Sequence, residues 1–286
     1  MHYGFVLPSG DARTAAELAV ELERAGWDGI FLWEPVWGVD AWVSLAACAM
    51  VTERIRLGTM LTPPSRMRPW KLASETTTLH NLSGGRVILS VGLGAPDVGF
   101  AAFGEVVDRR KRAELLDEAL DIIDGLWKGP PFSYVGKHYT IGEVGDDFVH
   151  KPAPPIQQPR IPVWVVGAWP SEKSMARVAK YDGLIPSARD PGGPFRQANP
   201  NEVRQMKVWL EERRGGRPFD IVVEGETPLG DPDAARWMVA PYRDAGATWY
   251  IGGEVVGARP RFRPRPRPRR PPAGGLTHLR PPKVWC

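Results

Sequence analysis

The sequence predicts an α/β fold, a (β/α)8 barrel of the TIM type, over residues 1–256. Short apolar runs alternate with amphipathic stretches eight times, and the mean repeat of about 32 residues is close to the length of one βα unit. Several runs are almost unbroken in their apolar character, which is typical of parallel strands covered on both faces. An open doubly wound sheet fits eight such repeats less well.

The predicted strands begin with three runs that start 26 residues apart, as consecutive βα units would. Val, Ile, Leu and aromatic residues dominate the runs, as β-propensity requires. The eight strands are predicted at residues 3–7, 29–33, 55–61, 86–91, 161–166, 183–186, 220–224 and 248–251.

The stretches between the strands predict helices with recognisable ends. The stretch 69–82 begins with a proline and stops at Ser83-Gly-Gly85, where glycine can adopt the left-handed conformation that ends a helix. The stretch 109–127 carries an apolar stripe at helical spacing. Asp231-Pro-Asp233 combines an N-cap residue, a proline at the first helical position and an acid in the first turn, so another helix is predicted there.

Two insertions interrupt the repeat. Residues 128–160, after the fourth strand, contain a hairpin-like segment at 132–141 and a proline-rich stretch. Residues 188–201, after the sixth strand, form a long loop rich in Gly and Pro. Long insertions in barrels usually serve as lids or substrate loops, so we expect both to shape substrate entry.

Composition excludes several other classes of protein. With 43% hydrophobic and 24% charged residues, the chain is neither disordered throughout nor fibrous. Cys48 and Cys286 are too few and too far apart for a disulfide scaffold, and neither cysteines nor histidines show metal-ligand spacing. No apolar run approaches the roughly 18 residues that cross a bilayer, and the start does not resemble a signal peptide. We therefore expect a cytoplasmic protein without a metal site or a membrane partner.

The net charge of +4 is produced by the last part of the chain. Residues 257–286 hold eight arginines, Lys283 and eight prolines but no acid, so the rest of the chain carries a net charge of −5. This composition predicts a disordered Arg/Pro-rich tail after the barrel domain. One interpretation makes the tail the product of a frame change in a GC-rich gene; another makes it a basic arm for nucleic acid or anionic membrane. Because regularly spaced aromatic residues are absent from it, we predict no specific nucleic acid partner.

Glycines after the fourth and fifth strands predict a phosphate site. In a barrel the functional residues lie at the carboxyl ends of the strands. Gly92 and Gly94 would let backbone approach a ligand closely, and Ser171 is a candidate N-cap at the turn that begins at Gly167, where free N–H groups favour an anion. The alternative is that these glycines only make tight turns. The third glycine of a dinucleotide fingerprint is missing, and no P-loop is present.

Tryptophans collect near the predicted mouth of the barrel. Trp33, Trp37, Trp70 and Trp169 fall at or near the ends of strands, where they could line a pocket for a flat aromatic ligand. The alternative is that each is a core residue. Trp33 and Trp37, together with Glu224 at the end of the seventh strand, form the predicted substrate pocket.

Glu34 is the predicted catalytic residue. It lies between Trp33 and Pro35, and desolvation by such neighbours would raise its pKa toward the range useful for proton transfer. The alternative is an ion pair with a neighbouring arginine. Among the histidines, His80 precedes a helix end and is interpreted as a packing or surface residue.

The motifs around the third helix and the fourth strand are specific to one family. The run WKLASETTTLHNLSGGR at 70–86 leads into VILSVGLG at 87–94. Shorter matches are AGWDG at 25–29, RLGT at 56–59, QPRIPVWVVG at 158–167 and YDGLIP at 181–186. Together they resemble the bacterial luciferase-like monooxygenases, the LLM class of flavin-dependent oxidoreductases, over roughly residues 1–252.

The resemblance implies a barrel that binds FMN, or the deazaflavin coenzyme F-420, at its carboxyl-terminal face. The flavin phosphate would lie near the ends of the fourth and fifth strands. A segment of the third strand, often with a non-prolyl cis peptide, would lie against the ring. The cofactor-binding residues implied on this sequence are Thr59, Met60, Gly92, Gly94, Gly167, Ala168, Trp169 and Ser171.

The implied activity is that of an oxidoreductase on a small organic substrate. Reduced FMN and O2 would oxygenate it, with a flavin reductase as partner, whereas the deazaflavin would exchange hydride with it; a homodimer is also expected. Deazaflavin-dependent sugar-phosphate dehydrogenases of the family carry histidine and glutamate where this chain has Glu34 and Ala95, and aspartate often replaces His80. The alternatives are a phosphate-binding isomerase or lyase without flavin, and a barrel whose basic tail binds nucleic acid.

Overall fold

The computed structural model describes residues 1–7, 9–228 and 231–252, which form alternating strands and helices. In chain order the elements are β1 (His2–Leu7), α1 (Ala12–Arg24), β2 (Gly29–Leu32), α2 (Ala41–Val51), β3 (Arg56–Thr59), α3 (Pro69–Leu82), β4 (Val87–Val91), α4 (Arg109–Lys128), β5 (Phe132–Val135), β6 (Thr140–Val144), β7 (Val163–Trp169), α5 (Glu172–Val178), β8 (Gly183–Arg189), β9 (Phe195–Gln197), α6 (Pro200–Arg214), β10 (Asp220–Glu224), α7 (Pro232–Asp244) and β11 (Trp249–Gly252).

Eight of these strands close into a parallel barrel. They pair in the order β10-β11-β1-β2-β3-β4-β7-β8, and a pairing between β8 and β10 completes the ring. The (β/α)8 prediction is therefore confirmed, and all eight predicted strands are present, the seventh with its predicted bounds and the others with shifted ends. Because the strands are parallel, the loops after β2, β3, β4, β7 and β8 meet side by side along one edge of the barrel mouth.

Aromatic side chains fill the barrel interior. The Phe31 ring lies 5.4 Å from the Trp164 ring and 6.1 Å from the Trp249 ring, centroid to centroid. Glycines on the surrounding strands make room for these rings, since a Cβ atom at Gly29 would lie 2.7 Å from the Phe31 ring and one at Gly183 would lie 2.2 Å from the Trp164 ring. The interior is thus a packed core rather than a channel.

The helices begin where side chains can cap them. Asp11, Asp40 and Asp108 each accept a hydrogen bond from the backbone N–H three residues later, at the starts of α1, α2 and α4. The third helix has the predicted bounds, and the fourth extends one residue beyond its prediction, to Lys128. Buried Leu116, Ala119, Leu120 and Ile123 form the apolar stripe that faces the strands, as predicted.

Of the two insertions, residues 128–160 contain the predicted hairpin, whereas residues 188–201 differ from their predicted form. Residues 188–201 do not form an irregular loop throughout, because β8 continues to Arg189 and β9 pairs antiparallel with its end. The hairpin of β5 and β6 lies against the helix layer, where the Glu118 carboxylate accepts hydrogen bonds from the backbone N–H groups of Lys137, His138 and Tyr139. Residues 188–201 thus extend a barrel strand, and the β5–β6 hairpin is attached to α4.

Residues 253–286 lie outside the described part of the chain, so the predicted tail and the boundary at 256 stay predictions. Among the helices that the structure describes, none combines the length and the apolar character needed to cross a bilayer.

Candidate active site

The Glu34 carboxyl group lies just beyond β2. Two threonine hydroxyl groups, at the end of β3 and just after it, are linked to it by hydrogen bonds. Thr62 donates its Oγ1–H to Oε2 of Glu34. Oγ1 of Thr62 lies 2.8 Å from Oγ1 of Thr59, and both threonines are fully buried. With Thr62 donating to the carboxylate, Thr59 donates to Thr62, so two hydroxyl groups align on one acceptor.

Arg66 holds the backbone on either side of the Glu34 carboxyl. Its guanidinium donates to the carbonyl oxygen of Glu34 at 2.9 Å and to that of Pro35 at 3.0 Å. Burial raises the pKa of Glu34 to about 7, against the opposing influence of the Thr62 hydrogen bond and the Arg66 charge. The predicted direction of the pKa shift is therefore found. The alternative of an ion pair with arginine is not, because Arg66 binds the backbone and no described arginine bonds this carboxylate.

The end of β3 lies beside Glu34 in the barrel mouth. Thr59 ends the strand, and the Met60 side chain joins the interior cluster around Phe31 and Trp164. The peptide bond between Met60 and Leu61 is cis, one bond after the Thr59–Met60 position at which the resemblance implied it. Contact of Thr59 and Met60 with a cofactor ring stays a prediction.

The glycines after β4 form a narrow cradle. A Cβ atom at Gly92 would lie 2.9 Å from both Leu61 Cδ2 and Val166 Cγ2, and Gly94 has a φ of +71°. Only glycine fits both positions without strain.

The buried Arg112 side chain holds the glycine cradle in place. Its guanidinium donates to the carbonyl oxygens of Leu93 at 2.6 Å and Gly94 at 2.9 Å. The Nε of Arg112 is buried but has no hydrogen-bond partner among the described residues. A buried donor in that state is unfavourable unless a ligand or water completes it.

The segment after β7 contributes less than the glycine pattern predicted. A Cβ atom at Gly167 would lie 2.4 Å from Leu184 Cδ1 and 3.0 Å from Met175 Sδ, so this glycine makes room for the helix layer. The N–H of Ala168 already donates to Ser174 Oγ at 2.9 Å. Ser171 is the N-cap of α5, as predicted, and accepts a hydrogen bond from the Ser174 N–H. Phosphate binding by this segment stays a prediction. The Ala168 N–H is not free for it, because that group already donates to Ser174.

Arginines around the cradle were not singled out from the sequence. The first turn of α4 is Arg-Arg-Lys-Arg at 109–112 and contains no acid, although the positive end of a helix dipole favours acids there. Burial, together with the charges of Arg189 and Arg177, lowers the pKa of Arg109. The sequence signal was a run of four cations at a helix start, where the helix dipole disfavours positive charge. Such a run also occurs on ordinary solvated helix faces, so it did not mark a site.

The tryptophans divide between the mouth and the helix layer. Trp33 and Trp37 are exposed, and the Trp37 ring lies 6.3 Å from the Phe103 ring. Trp169 packs partly against the core, whereas the Trp70 ring lies 6.3 Å from the Tyr139 ring on the inserted hairpin. Trp70 therefore does not join the others at the mouth.

Glu224 ends β10, and desolvation raises the pKa of its carboxyl group. Its carbonyl oxygen accepts a hydrogen bond from Nε2 of Gln197, the last residue of β9. Two other titratable side chains lie in the core. His80 is fully buried and its pKa is lowered to about 4, while burial raises the pKa of the Cys48 thiol to about 12. Both are neutral packing residues, and within the described ranges no group of three His, Cys, Asp or Glu could hold a metal ion.

A closed (β/α)8 barrel with a titratable carboxyl group and a cationic glycine cradle at its carboxyl-terminal face defines the class of barrel enzymes. The chain belongs to the luciferase-like monooxygenase family, whose model matches residues 2–281. The resemblance inferred from the sequence motifs is confirmed, and the chain is an oxidoreductase of that family.

Named relatives include deazaflavin enzymes. A protein of Mycobacterium tuberculosis whose name describes a coenzyme F-420-dependent oxidoreductase is 30% identical over 253 residues, which cover 83% of this chain and 68% of that one. An F-420-dependent glucose-6-phosphate dehydrogenase of Amycolatopsis mediterranei is 30% identical over 181 residues, which cover 60% of this chain and half of that one.

Solved structures share the fold at low sequence identity. The F-420-dependent tetrahydromethanopterin reductase of Methanopyrus kandleri matches with a TM-score of 0.72 at 17% identity, covering 89% of this chain and 93% of that one. The oxygenating constituent of 3,6-diketocamphane monooxygenase from Pseudomonas putida, in complex with FMN, matches with a TM-score of 0.64 at 20% identity, covering 84% and 71%.

Proposed function

We propose that the protein is a deazaflavin-dependent oxidoreductase that transfers hydride between coenzyme F-420 and a small organic substrate bound in the barrel mouth. The observation that carries the proposal is the pairing, on neighbouring strand ends, of a cationic glycine cradle with a carboxyl group whose pKa is about 7. The F-420-dependent relatives support the choice of cofactor.

The cradle fits the phosphate of such a cofactor. Glycine at 92 and 94 lets a phosphate approach the backbone of the cradle closely, and the buried Nε of Arg112 offers a charged donor that has no partner among the described residues. When bound, the cofactor supplies the hydride chemistry, which no side chain of the chain can supply.

The protein residues orient groups and move a proton. A Glu34 pKa of about 7 lets Oε1 or Oε2 give or take a proton near neutral pH, and the Thr59–Thr62 hydroxyl chain fixes the carboxyl orientation. Trp33, Trp37 and Glu224 are proposed to contact the substrate. The remaining predicted cofactor contacts, Thr59 and Met60 beneath the ring and Trp169 and Ser171 near the phosphate, are part of the same proposal.

The second candidate is an FMN-dependent monooxygenase, which the FMN-bound structural neighbour favours. In that case a flavin reductase would supply reduced FMN. The expected homodimer and the reductase partner stay predictions.

The test is a fluorescence titration of the purified protein with F-420 and with FMN. Arg112→Lys should weaken F-420 binding about tenfold, because lysine keeps the charge but cannot hold two carbonyl oxygens and reach a ligand at once. Arg214→Lys is the matched control: Arg214 is also buried, has a free Nε, and donates to carbonyl oxygens beside α5 and β8 rather than at the cradle. If neither cofactor binds at micromolar concentration, the flavin proposal is rejected and the isomerase or lyase alternative is favoured.

A further inference from the structure

Two arginine–phenylalanine–arginine groups lie at the mouth, and they differ in how their charges are used. In the inner group, Arg66 and Arg112 lie 5.4 and 5.5 Å from the Phe100 ring centroid, and both guanidiniums bind backbone carbonyls. In the outer group, Arg109 and Arg189 lie 4.7 and 5.4 Å from the centroid of the Phe195 ring.

The outer group has no carboxylate of its own in the described part of the chain. Arg189 donates through Nε to the Gly193 carbonyl oxygen at 2.7 Å, and Arg109 makes neither a hydrogen bond nor an ion pair with a described residue. The nearby acids are committed elsewhere, because Asp190 on the same hairpin and Glu202 in the first turn of α6 both bind Arg196 at 2.8 Å.

Among the residues that the structure describes, none compensates the repulsion within the outer group. Arg109 stands at the positive end of α4, and its pKa is lowered by burial and then by the charge of Arg189. Its neighbour Arg110 faces Glu114 at 3.4 Å, and Arg177 is paired with Asp117. Two guanidiniums that share one ring without a counterion form a ready site for an anion.

We propose that Arg109, Arg189 and Phe195 bind the carboxylates of an acidic tail on the cofactor, outside the phosphate cradle. This inference rests on the proposed function. Arg109 is almost one turn of α4 before Arg112, so its Cα lies about 4.5 Å along the helix axis from that of the arginine that holds the cradle. F-420 continues beyond its phosphate into a lactyl group and a chain of γ-linked glutamates, whereas FMN ends at the phosphate. The outer group therefore selects the deazaflavin.

The experiment compares three probes by fluorescence titration of the full-length protein: F-420 with its glutamate tail, the same cofactor trimmed of glutamates, and FMN. The variants are Arg109→Gln, Arg189→Gln and the double variant. Arg110→Gln is the matched control, because it removes the same charge from the same turn of α4 without touching Phe195. The KM for the substrate is measured in parallel, since a carboxylate could also belong to the substrate.

Each single variant should weaken binding of the tailed cofactor about fivefold, and the double variant by about twentyfold, with less loss at high salt. The trimmed cofactor, FMN and the Arg110→Gln control should change less than twofold. Equal losses for all three probes would assign the pair to the phosphate and overturn the proposal. An increased KM with unchanged cofactor binding would assign it to the substrate and also overturn it.

The proposed function and this inference fail in different ways. Wild-type protein that binds none of the three probes overturns both. Wild-type protein that binds the tailed cofactor, with variants that bind it equally well, overturns the outer anion site alone.

Discussion

Arg86 and Arg112 are both buried, but they lie at opposite ends of the barrel and differ in their hydrogen bonds. Arg86 precedes β4 and makes five bonds, to the Ser83, Ile55, Ala49 and Thr52 carbonyl oxygens and to the Thr52 hydroxyl. Arg112, after β4, makes two, and its Nε has no partner among the described residues. Arg86, with every donor satisfied, stabilises the fold, whereas Arg112 combines an unpartnered donor with a place at the glycine cradle, where a ligand could complete it.

The base of the barrel repeats the pattern of Arg86. A cavity of about 490 Å³ opens there, lined partly by charged residues. The Asp220 carboxylate accepts hydrogen bonds from Trp164 and Thr248, that of Glu23 accepts three backbone N–H groups, and His2 lies 3.1 Å from Asp28. The acids of this cavity are thus paired within the protein, as the donors of Arg86 are.

Arg86→Met should cause the largest effect, a loss of about 3–5 kcal/mol in the free energy of unfolding, because five acceptors lose their donor in a buried site. Urea denaturation measures it. The control is Arg54→Met, which removes an exposed arginine nearby and should cost less than about 0.5 kcal/mol. Folded Arg86→Met protein should still bind the cofactor normally. A loss of cofactor affinity in folded protein would contradict the assignment of Arg86 to stability and of Arg112 to ligand binding.

Glu34→Gln should lower turnover about 100-fold or more at pH 7, because the glutamine cannot exchange a proton. The pH profile of kcat/KM should lose a limb near pH 7, the pKa of Glu34. Cofactor affinity should change less than threefold. A variant with wild-type turnover at every pH would make Glu34 a structural residue.

The same substitution should alter stability in a pH-dependent way. Because the folded pKa is above the unfolded value of 4.5, the folded protein retains a proton that the unfolded chain releases, so wild-type stability falls as the pH rises from about 4.5 to 7. Glu34→Gln should therefore be more stable than wild type at pH 8, by on the order of 1–3 kcal/mol, and lose that advantage at pH 4.

Gly167→Leu tests whether the two glycine segments of the mouth, after β4 and in β7, have different roles. The missing Cβ faces Leu184 and Met175, so the larger side chain should destabilise the fold by about 2 kcal/mol through overpacking. Gly92→Ala would place its Cβ between the side-chain ends of Leu61 and Val166 at the cradle. This variant should lower cofactor affinity more than it lowers the stability of the fold. Thermal unfolding and cofactor titration on both variants separate the two effects. A Gly167→Leu protein with normal stability and weaker cofactor binding would return Gly167 to the phosphate site.

The sequence predicted the barrel well because its signals are local. Apolar runs, helix caps and the Leu-Ser-Gly-Gly-Arg motif are read within a few residues, and Arg86 shows that this motif stabilises the base of the barrel rather than forming the active site. The end of β8 was predicted too short, because its last residues are held as strand by pairing with the end of β7 and with β9. Gly167 was assigned to the phosphate, although the alternation of inward Trp164 and Val166 already placed it on the outer face.

The arginines of the mouth could not be found in this way. Arg109 and Arg189 are eighty residues apart in the chain and meet only because β4, β7 and β8 are neighbours in the barrel. The burial of Arg112 is likewise a tertiary property, since the four cations at 109–112 look alike in sequence but differ in exposure. Glu34 was accessible to sequence reasoning because its apolar neighbours are adjacent to it.

Thr62→Val should have the smallest effect and tests the hydroxyl chain directly. The Thr62 hydrogen bond lowers the pKa of Glu34 against the effect of burial, so its removal should raise that pKa by about half a unit to one unit and move the corresponding limb of the kcat/KM profile to higher pH. Thr59→Val is the control, because Thr59 is equally buried and bonds Thr62 but does not touch the carboxylate. It should shift the limb less, since only the alignment of the Thr62 hydroxyl is relaxed. Equal shifts in both variants would mean that the two hydroxyl groups act as one unit, and an unshifted limb in Thr62→Val would show that the titrating group of the profile is not Glu34.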